Sequence, residues 1–329
     1  MRKLASILTV LLVAGSGPAG AEENVKLAQT GMQFLSVMSD ARAAALAGAV
    51  TTMRLRSASL FFNPACMAET DRLLDFAASY NKWIADIKHS TASVAYRPAS
   101  GDLGVFGLSV QFVDYGEILG TSVAANNIGY VDNGTINAYG LAAGIGYAKA
   151  LSEAFSVGGD VRWVMQNLGE SLVPTGQGPQ LKKNQASVLA FDFGTLFKPG
   201  FKSFAFGMSV RNFAKEVAFE EQAFELPLTF TIGVSMDLMD FLEDRSIIQA
   251  AYLSVDAVHN RDYYEQVFVG GEVSLIDALD LRGGYIVNSD EQGFTTGFGL
   301  HQFGIAVDYA YTPFGVFNDA HRVTLRVGL

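Results

Sequence analysis

The chain has 329 residues, of which 50% are hydrophobic, and a formal net charge of −10. With a pI near 4.9 it offers no basic surface to follow phosphates, so we expect no nucleic-acid partner. Mean hydropathy is +0.23, yet no stretch after the first 21 residues approaches the roughly 18 uninterrupted apolar residues of a membrane-spanning helix.

Residues 1–21 have the pattern of a secretory signal peptide. Arg2 and Lys3 precede an apolar run over residues 4–14, and small residues occupy positions 19–21. The run is too short for a helix that crosses about 30 Å of hydrocarbon with about 20 residues. We therefore expect export and cleavage after Ala21. Together with the strand pattern that follows, export predicts a location in the outer membrane of a Gram-negative-type bacterium.

Residues 22–70 differ from the rest of the chain because they are rich in Ala, Met and Leu. Phe34, Met38, Ala41 and Ala45 recur at steps of three and four residues, and Gly48 continues the row. This spacing is the period of one helix face. The segment is predicted to be a helical or irregular hatch that lies in or near the lumen of a barrel.

Arg42 is the charged residue of this Ala-rich segment. A cation buried in a barrel is costly unless a carboxylate pairs with it. The candidate partners are Asp160, Asp192 and Asp308, which fall at inward-facing positions of predicted strands.

The tripeptide Asn63-Pro64-Ala65 lies near the end of the hatch. Proline fixes its own φ and biases the preceding residue away from the helical region. The simpler interpretation is a turn that leads from the hatch to the barrel wall, and the alternative is a hinge that shifts when a ligand enters.

From about residue 72 the hydrophobic period changes from helical to two. Ile305, Val307 and Tyr309 alternate with Ala306 and Asp308, for example, as the two faces of a strand do. About fourteen strands are predicted, an even number as in bacterial outer-membrane barrels. They are placed near residues 72–83, 88–97, 103–115, 135–148, 154–167, 184–198, 202–213, 226–237, 246–257, 264–275, 278–288, 293–300, 302–312 and 321–329.

Alternation alone also fits a soluble sandwich of two sheets. The connections favour a barrel, because short ones such as 99–102, 151–153 and an abrupt step at His301 take turns with long polar stretches at 116–134 and 168–183. The predicted fold class is therefore all-β: a closed antiparallel transmembrane barrel over residues 71–329, whose last strand pairs with the first.

The sequence gives no pattern of a catalytic or metal site. The acidic pairs fall in predicted loops without an oriented partner, and no G-x-S-x-G element precedes a helix. The single Cys66 and the four scattered histidines lack ligand spacing. We expect no enzymatic activity, no cofactor and no metal. The residues concerned are Glu220-Glu221, Glu243-Asp244, Asp290-Glu291, His89, His259, His301 and His321.

Several ordered blocks resemble the PorV/PorQ family. At the amino-terminal side these are residues 33–35, 40–49 and 62–65; at the carboxyl-terminal side they are 309–315, which contain Pro313, Phe314 and Gly315, and 321–325, which begin with His321 and Arg322. Residues 225–228 and 281–285 are similar to blocks between them. The Asn63-Pro64-Ala65 element is also similar to that of FadL-type transporters.

Both resemblances imply a barrel of about fourteen strands that is plugged by an amino-terminal hatch. The PorV/PorQ resemblance implies a non-enzymatic component of a type IX secretion pathway, which binds a translocon or secreted cargo through its external loops. The FadL resemblance implies a passage for hydrophobic small molecules. An apolar pocket under the external loops with a sideways kink would favour transport, whereas a lumen packed solid with the hatch would favour secretion. Outer-membrane lipid is the expected surrounding in both cases.

Overall fold

The computed structural model describes residues 30–329 except 124–125, 176–177, 221, 243–246, 276–277, 290–291 and 316. The predicted signal peptide and the first predicted hatch residues, 22–29, lie outside the described residues. Among those described, no helix has the length and apolar character needed to cross a membrane.

Fourteen antiparallel strands close into a barrel, as predicted. The pairing order is β1-β16-β15-β14-β13-β12-β11-β10-β7-β6-β5-β4-β3-β2, and β8 and β9 form a separate small hairpin. The strands are β1 Leu74–Lys82, β2 Lys88–Tyr96, β3 Val105–Val123, β4 Tyr130–Ala150, β5 Phe155–Thr175, β6 Gly178–Phe197, β7 Ala205–Ala214, β8 Val217–Ala218, β9 Ala223–Phe224, β10 Thr229–Asp237, β11 Ile248–Asn260, β12 Gln266–Leu275, β13 Leu279–Val287, β14 Phe294–Gln302, β15 Ile305–Phe314 and β16 Phe317–Gly328.

The alternation predicted from the sequence separates the two faces of the wall. In β1 the side chains of Asp75 and Asn81 are buried in the lumen, whereas Phe76 and Tyr80 are 40% and 48% exposed on the outside. The outer face therefore presents apolar side chains to lipid, and the inner face is polar or small. Closure of β16 on β1, from Asp75↔Gly328 to Lys82↔His321, pairs both edges of the sheet.

Strands β3 to β6 are longer than predicted. The stretches 116–134 and 168–183, predicted as polar loops, are mostly continuations of these strands, of 19 to 21 residues each. The β4–β5 ladder ends at Tyr139↔Asn167, so two separate hairpins project beyond that point. Many of their described residues are exposed on both faces, so hydrophobicity does not alternate there and the sequence pattern resembles a loop.

The connections are unequal at the two ends of the barrel. At the end where β1 begins, β14 and β15 are joined by Phe303 and Gly304 with φ of +54° and +82°, so the predicted step at His301 was wrong by two residues. We call this the short-turn end, and the opposite end, with the projecting hairpins, the long-loop end. In outer-membrane barrels short turns face the periplasm and long loops face outside.

The segment 30–73 passes through the lumen from one end to the other. Thr30 bridges to Glu225 at the long-loop end, and Gly31 donates to the Glu225 carbonyl at 3.0 Å. Short helical pieces follow, of which only α1 (Ala41–Ala45) is an α-helix; the others are 3₁₀ turns at Gln33–Ser36, Arg56–Phe61 and Pro64–Glu69. The predicted helical row therefore continues for one turn only, because the chain adopts positive φ at Ala47 and Gly48.

Candidate functional site

An ion-pair cluster joins the hatch to the barrel wall. Arg42 donates from Nε and Nη2 to the two carboxylate oxygens of Glu272 on β12, at 2.8 and 2.6 Å. The predicted partners were wrong: Asp160 and Asp192 lie beside Arg162, and Asp308 accepts from Arg282. Burial disfavours the Arg42 cation, but Glu272 outweighs this and raises the pKa of Arg42 above its ordinary value.

The same cluster continues along the wall. Arg282 on β13 lies 2.6 Å from Glu272, 2.7 Å from Asp280 and 2.5 Å from Asp308. Arg326 on β16 lies 2.7 Å from Asp308 and also pairs with Asp40 of the hatch. Because a buried charge is costly once its partner moves away, this cluster fixes the hatch in one position.

Asn63 holds the end of the hatch to β6. Its carboxamide oxygen accepts from the Ala65 N–H at 3.1 Å, and its nitrogen donates to the carbonyls of Thr51 and Thr195 at 2.7 and 3.1 Å. Pro64 occupies the first position of the 3₁₀ turn, where its missing N–H leaves no donor unsatisfied. The tripeptide thus forms a turn that is anchored on both sides.

The other hatch residues singled out from the sequence are packed against the wall. Phe34 is 2% exposed and its carbonyl accepts from Gln111 at 2.8 Å. Ala41 is fully buried and its N–H donates to Thr324 Oγ1 at 2.8 Å. A Cβ on Gly48 would lie 2.7 Å from the sulfur of Met38, so a larger residue would displace this turn.

The carboxyl-terminal block contacts the top of the hatch. Arg322 donates to the Met38 carbonyl at 2.7 Å and to Thr312 Oγ1 at 2.8 Å, and its guanidinium lies 5.0 Å from the Trp83 ring centroid. Phe314 packs edge-on against Trp83 at 4.5 Å. The block therefore forms part of the wall directly above the hatch.

The remaining members of that block lie at the outer rim. His321 Nδ1 is 2.8 Å from the Tyr309 hydroxyl on the outside of the barrel. Pro313 lies where the β15–β16 register shifts, and Gly315 follows with φ of +58°. These two residues bend the chain at the end of β15.

A cavity of about 460 Å³ lies at the long-loop end, above the hatch. Val37 and Met38 of the hatch contribute to its floor, and most of its larger wall side chains are apolar. The apolar lining includes Trp83, Leu228, Val258, Phe268, Ile286 and Phe314. Its polar lining includes Arg211, Arg261 and Asp262. A concave, largely apolar surface with polar groups at fixed places is the usual form of a site for a hydrophobic molecule.

The wall beside this cavity contains a partly unpaired seam. The β14–β15 ladder starts at Thr296↔Tyr311, so Phe294 and Thr295 have no ladder partner on β15. If the register is continued, Pro313 falls opposite Phe294, and it has no N–H to donate. The cavity is lined by Ile286 and Phe314 on the neighbouring strands, which places the seam at its side.

The wall residues of the ion-pair cluster were not predicted from the sequence. Glu272 and Arg282 are direct cross-strand partners on the inner face, and Arg326 follows the same alternation on β16. Their charge at inward-facing positions of predicted strands could have marked them as partners of a charged hatch residue. Trp83 directly follows β1, and the sequence pattern did not mark it as a cavity residue.

The described residues contain no group of three or more His, Cys, Asp or Glu side chains that could hold a metal ion. Cys66 is buried against the wall, and burial raises the pKa of its thiol. The acidic pairs noted above lie partly outside the described residues, and Glu220 pairs with Lys182.

The sequence matches no family model and no curated protein. Solved structures do match over nearly their whole length. The toluene transporter TbuX of Ralstonia pickettii aligns with a TM-score of 0.60 and 12% identity, covering 93% of this chain and 99% of that one. TodX of Pseudomonas putida, also a toluene transporter, aligns with a TM-score of 0.59 and 13% identity, over 88% and 96% of the two chains.

A FadL homologue of Pseudomonas aeruginosa aligns with a TM-score of 0.54 and 12% identity, over 88% of this chain and 98% of that one. The chain has the FadL-type barrel fold. At this level of identity the likeness concerns the fold alone. It agrees with the FadL-like architecture predicted from the sequence.

Proposed function

We propose that this protein is an outer-membrane channel that admits hydrophobic small molecules, and that the hatch closes the straight path through its lumen. The observation that carries the proposal is the apolar cavity of about 460 Å³, which is floored by Val37 and Met38 of the hatch. Apolar molecules gain roughly 25 cal/mol for each Å² of surface that leaves water, so such a cavity concentrates them. The fold shared with two toluene transporters supports the same function.

The route out of the cavity runs sideways in this proposal. The hatch blocks the straight path, because most side chains of residues 38–70 are buried against one another or against the wall. Phe294 and Thr295, which pair with β13 but not with β15, offer a weak point between β14 and β15 instead. A hydrophobic molecule that leaves there enters lipid without crossing the ion-pair cluster.

Arg211 is one of three charged residues in the described lining of the cavity, with Arg261 and Asp262. It donates to the Phe61 carbonyl at 2.7 Å and has no ion pair among the described residues. A hydrophobic molecule that carries one anionic group would find its countercharge there.

Toluene binding and uptake test the proposal. The chain has two tryptophans, of which Trp83 lines the cavity and Trp163 is 43% exposed on the outer face. In a Trp163→Phe variant, toluene should change the emission of Trp83. Ile286→Asp places a charge in the cavity and should slow toluene uptake by cells about tenfold or more, because an unpaired buried charge costs several kcal/mol.

Ile128→Asp is the matched control, because Ile128 is 71% exposed on a projecting hairpin. It should leave both toluene signals unchanged. An unaltered Trp83 emission together with equal uptake by the Ile286→Asp variant would refute the channel.

A second candidate is the PorV/PorQ-type role, binding a secretion translocon or its cargo. Its support is the sequence resemblance and the two projecting hairpins, on which Leu119 and Leu181 are 76% and 66% exposed. Large exposed apolar side chains outside the membrane are typical of protein-binding surfaces. Leu119→Asp with Leu181→Asp should then abolish copurification of a type IX translocon component while toluene uptake persists; copurification that is unchanged would argue against it.

A further inference from the structure

A second cavity, of about 480 Å³, lies at the short-turn end beneath the hatch. Its described lining contains six arginines and two aspartates. The arginines are Arg42, Arg54, Arg56, Arg72, Arg282 and Arg326. This concentration of cations is unlike the whole chain, which has a formal net charge of −10.

The inner arginines are occupied by the ion-pair cluster described above. Arg42, Arg282 and Arg326 each bond a carboxylate at 2.8 Å or less. Their carboxylate partners include Glu272 and Asp40, which do not line the cavity. Their other partners, Asp280 and Asp308, do line it. The described lining therefore still carries six cations against two carboxylates.

The outer arginines have donors to spare. Arg54 is 52% exposed, and its nearest carboxylate, Asp71, lies 3.8 Å away. Arg72 is exposed and makes neither a hydrogen bond nor an ion pair among the described residues. Arg56 shares Asp71, at 3.1 Å, and so leaves less of that carboxylate for Arg54.

Several guanidinium groups around one cavity suit a phosphate group. Each guanidinium presents a planar fork of N–H donors, and a phosphate offers several strong acceptor oxygens. Arg56 also lies 3.7 Å from Asp75, but Arg54 and Arg72 do not pair with that carboxylate. A phosphate bound by several guanidinium groups would offset the remaining repulsion among Arg54, Arg56 and Arg72.

The cavity also reaches the lipid-facing side of the barrel. Leu300 and Ile305 line it, and both are about half exposed on the outer face, at 53% and 49%. They flank the turn at Phe303, which is 93% exposed. A molecule whose tail lies in the inner leaflet can therefore place its headgroup among the arginines.

We propose that this cavity binds a phosphate group, and that the headgroup of an anionic phospholipid supplies it. The site is separate from the apolar cavity at the other end and does not depend on what passes through the barrel.

Native mass spectrometry of the full chain in detergent tests this site. The probes are phosphatidylglycerol, a diacylglycerol that lacks phosphate, and inorganic phosphate as a competitor. The native protein should retain phosphatidylglycerol and not the diacylglycerol. Arg54→Gln with Arg72→Gln should weaken retention roughly tenfold, since each removes charge-assisted hydrogen bonds.

Lys149→Gln with Lys202→Gln is the matched control, because these lysines lie at the same end and do not line the cavity. This control should retain lipid normally, and its heat-dependent gel shift and that of the arginine variant should show intact barrels. Competition by millimolar inorganic phosphate would identify free phosphate as a second source of the same chemistry. Equal retention by the native protein and the arginine variant, or equal retention of the two lipids, would overturn the proposal.

Discussion

Glu272 is the residue on which the contact between hatch and wall converges. It accepts hydrogen bonds from Arg42 of the hatch and from Arg282 of the neighbouring strand. Only 3% of its side chain is exposed. The loss of its charge would leave two buried cations with fewer acceptors. Removing one partner of a buried ion pair is strongly destabilising, because the remaining charge stays buried without compensation.

Glu272→Gln should therefore lower the free energy of unfolding by about 3–5 kcal/mol. Urea titration of the refolded barrel in lipid vesicles measures the change. The control is Glu117→Gln on the exposed part of β3, which should alter stability by no more than about 0.5 kcal/mol. Equal stability of the two variants would show that the cluster does not hold the hatch.

Asp71 gives a pH-dependent contribution at the short-turn end. Burial opposes its ionisation, but Arg56 and Arg54 outweigh burial and lower the pKa of Asp71 below its ordinary value of 3.8. The folded state therefore favours the carboxylate. Its stabilisation is complete above about pH 5 and is lost as the pH falls through 3.8 and then through the lower folded-state value.

The measurement is the difference in unfolding free energy between the native protein and Asp71→Asn as a function of pH. That difference should be constant from about pH 7 to 5 and shrink toward zero at lower pH. A difference that grows on acidification would contradict the sign.

The ion-pair partner of Arg42 could not be predicted from the sequence, for a geometric reason. Local patterns predict that a charged hatch residue needs a carboxylate, and they place several on inward strand positions. Which one it meets depends on the height and rotation of α1 in the lumen. Asp308 comes close, but Arg282 and Arg326 occupy it.

At the scale of elements, inward glycines allow the hatch backbone to lie directly on the wall. A Cβ on Gly284 of β13 would lie 2.5 Å from the backbone nitrogen of Ala47. The adjacent Gly283 points outward, and a Cβ there would have no neighbour nearer than 3.8 Å. The two residues form a natural pair for comparison.

Gly284→Ala should destabilise the protein by about 1–3 kcal/mol, because the hatch must shift to admit the methyl group. Gly283→Ala should be neutral or stabilising by up to about 1 kcal/mol, through a less flexible unfolded chain. Thermal unfolding of both variants in the same detergent gives the comparison. A larger loss for Gly283→Ala would mean that the hatch does not press on β13.

The strands were largely predictable where one face meets lipid and the other meets the lumen. Val307 and Asp308 show this, because their contrast in polarity follows their opposite environments. The ends of β3 to β6 were not predictable, because water surrounds both faces there. The length of α1 was overestimated for a related reason. The buried Ala-rich residues recur at a helical period although the backbone turns at Ala47.

At the scale of the whole molecule, the barrel has a defined orientation that surface labelling can check. Ile128 lies at the long-loop end and Phe303 at the short-turn end, and they are 71% and 93% exposed. The native Cys66 is buried, so its thiol gives little background reaction.

Ile128→Cys should react with a membrane-impermeant maleimide in intact cells, and Phe303→Cys should react only after the cells are lysed. The inward position of the short turns in such barrels is the reason. Rapid labelling of Phe303→Cys in intact cells would invert the assigned orientation.

The path of residues 30–73 restricts the order of assembly. Thr30 bridges to Glu225 at the long-loop end, whereas Leu74 begins β1 at the short-turn end. This stretch therefore runs through the lumen of the barrel that the pairing of β1 with β16 closes. A finished ring could receive it only by pulling the preceding chain through the bore. Assembly in which the strands close around a hatch that is already in place avoids that passage. The pairing of β16 with β1 would then be the last step, and it would enclose the hatch.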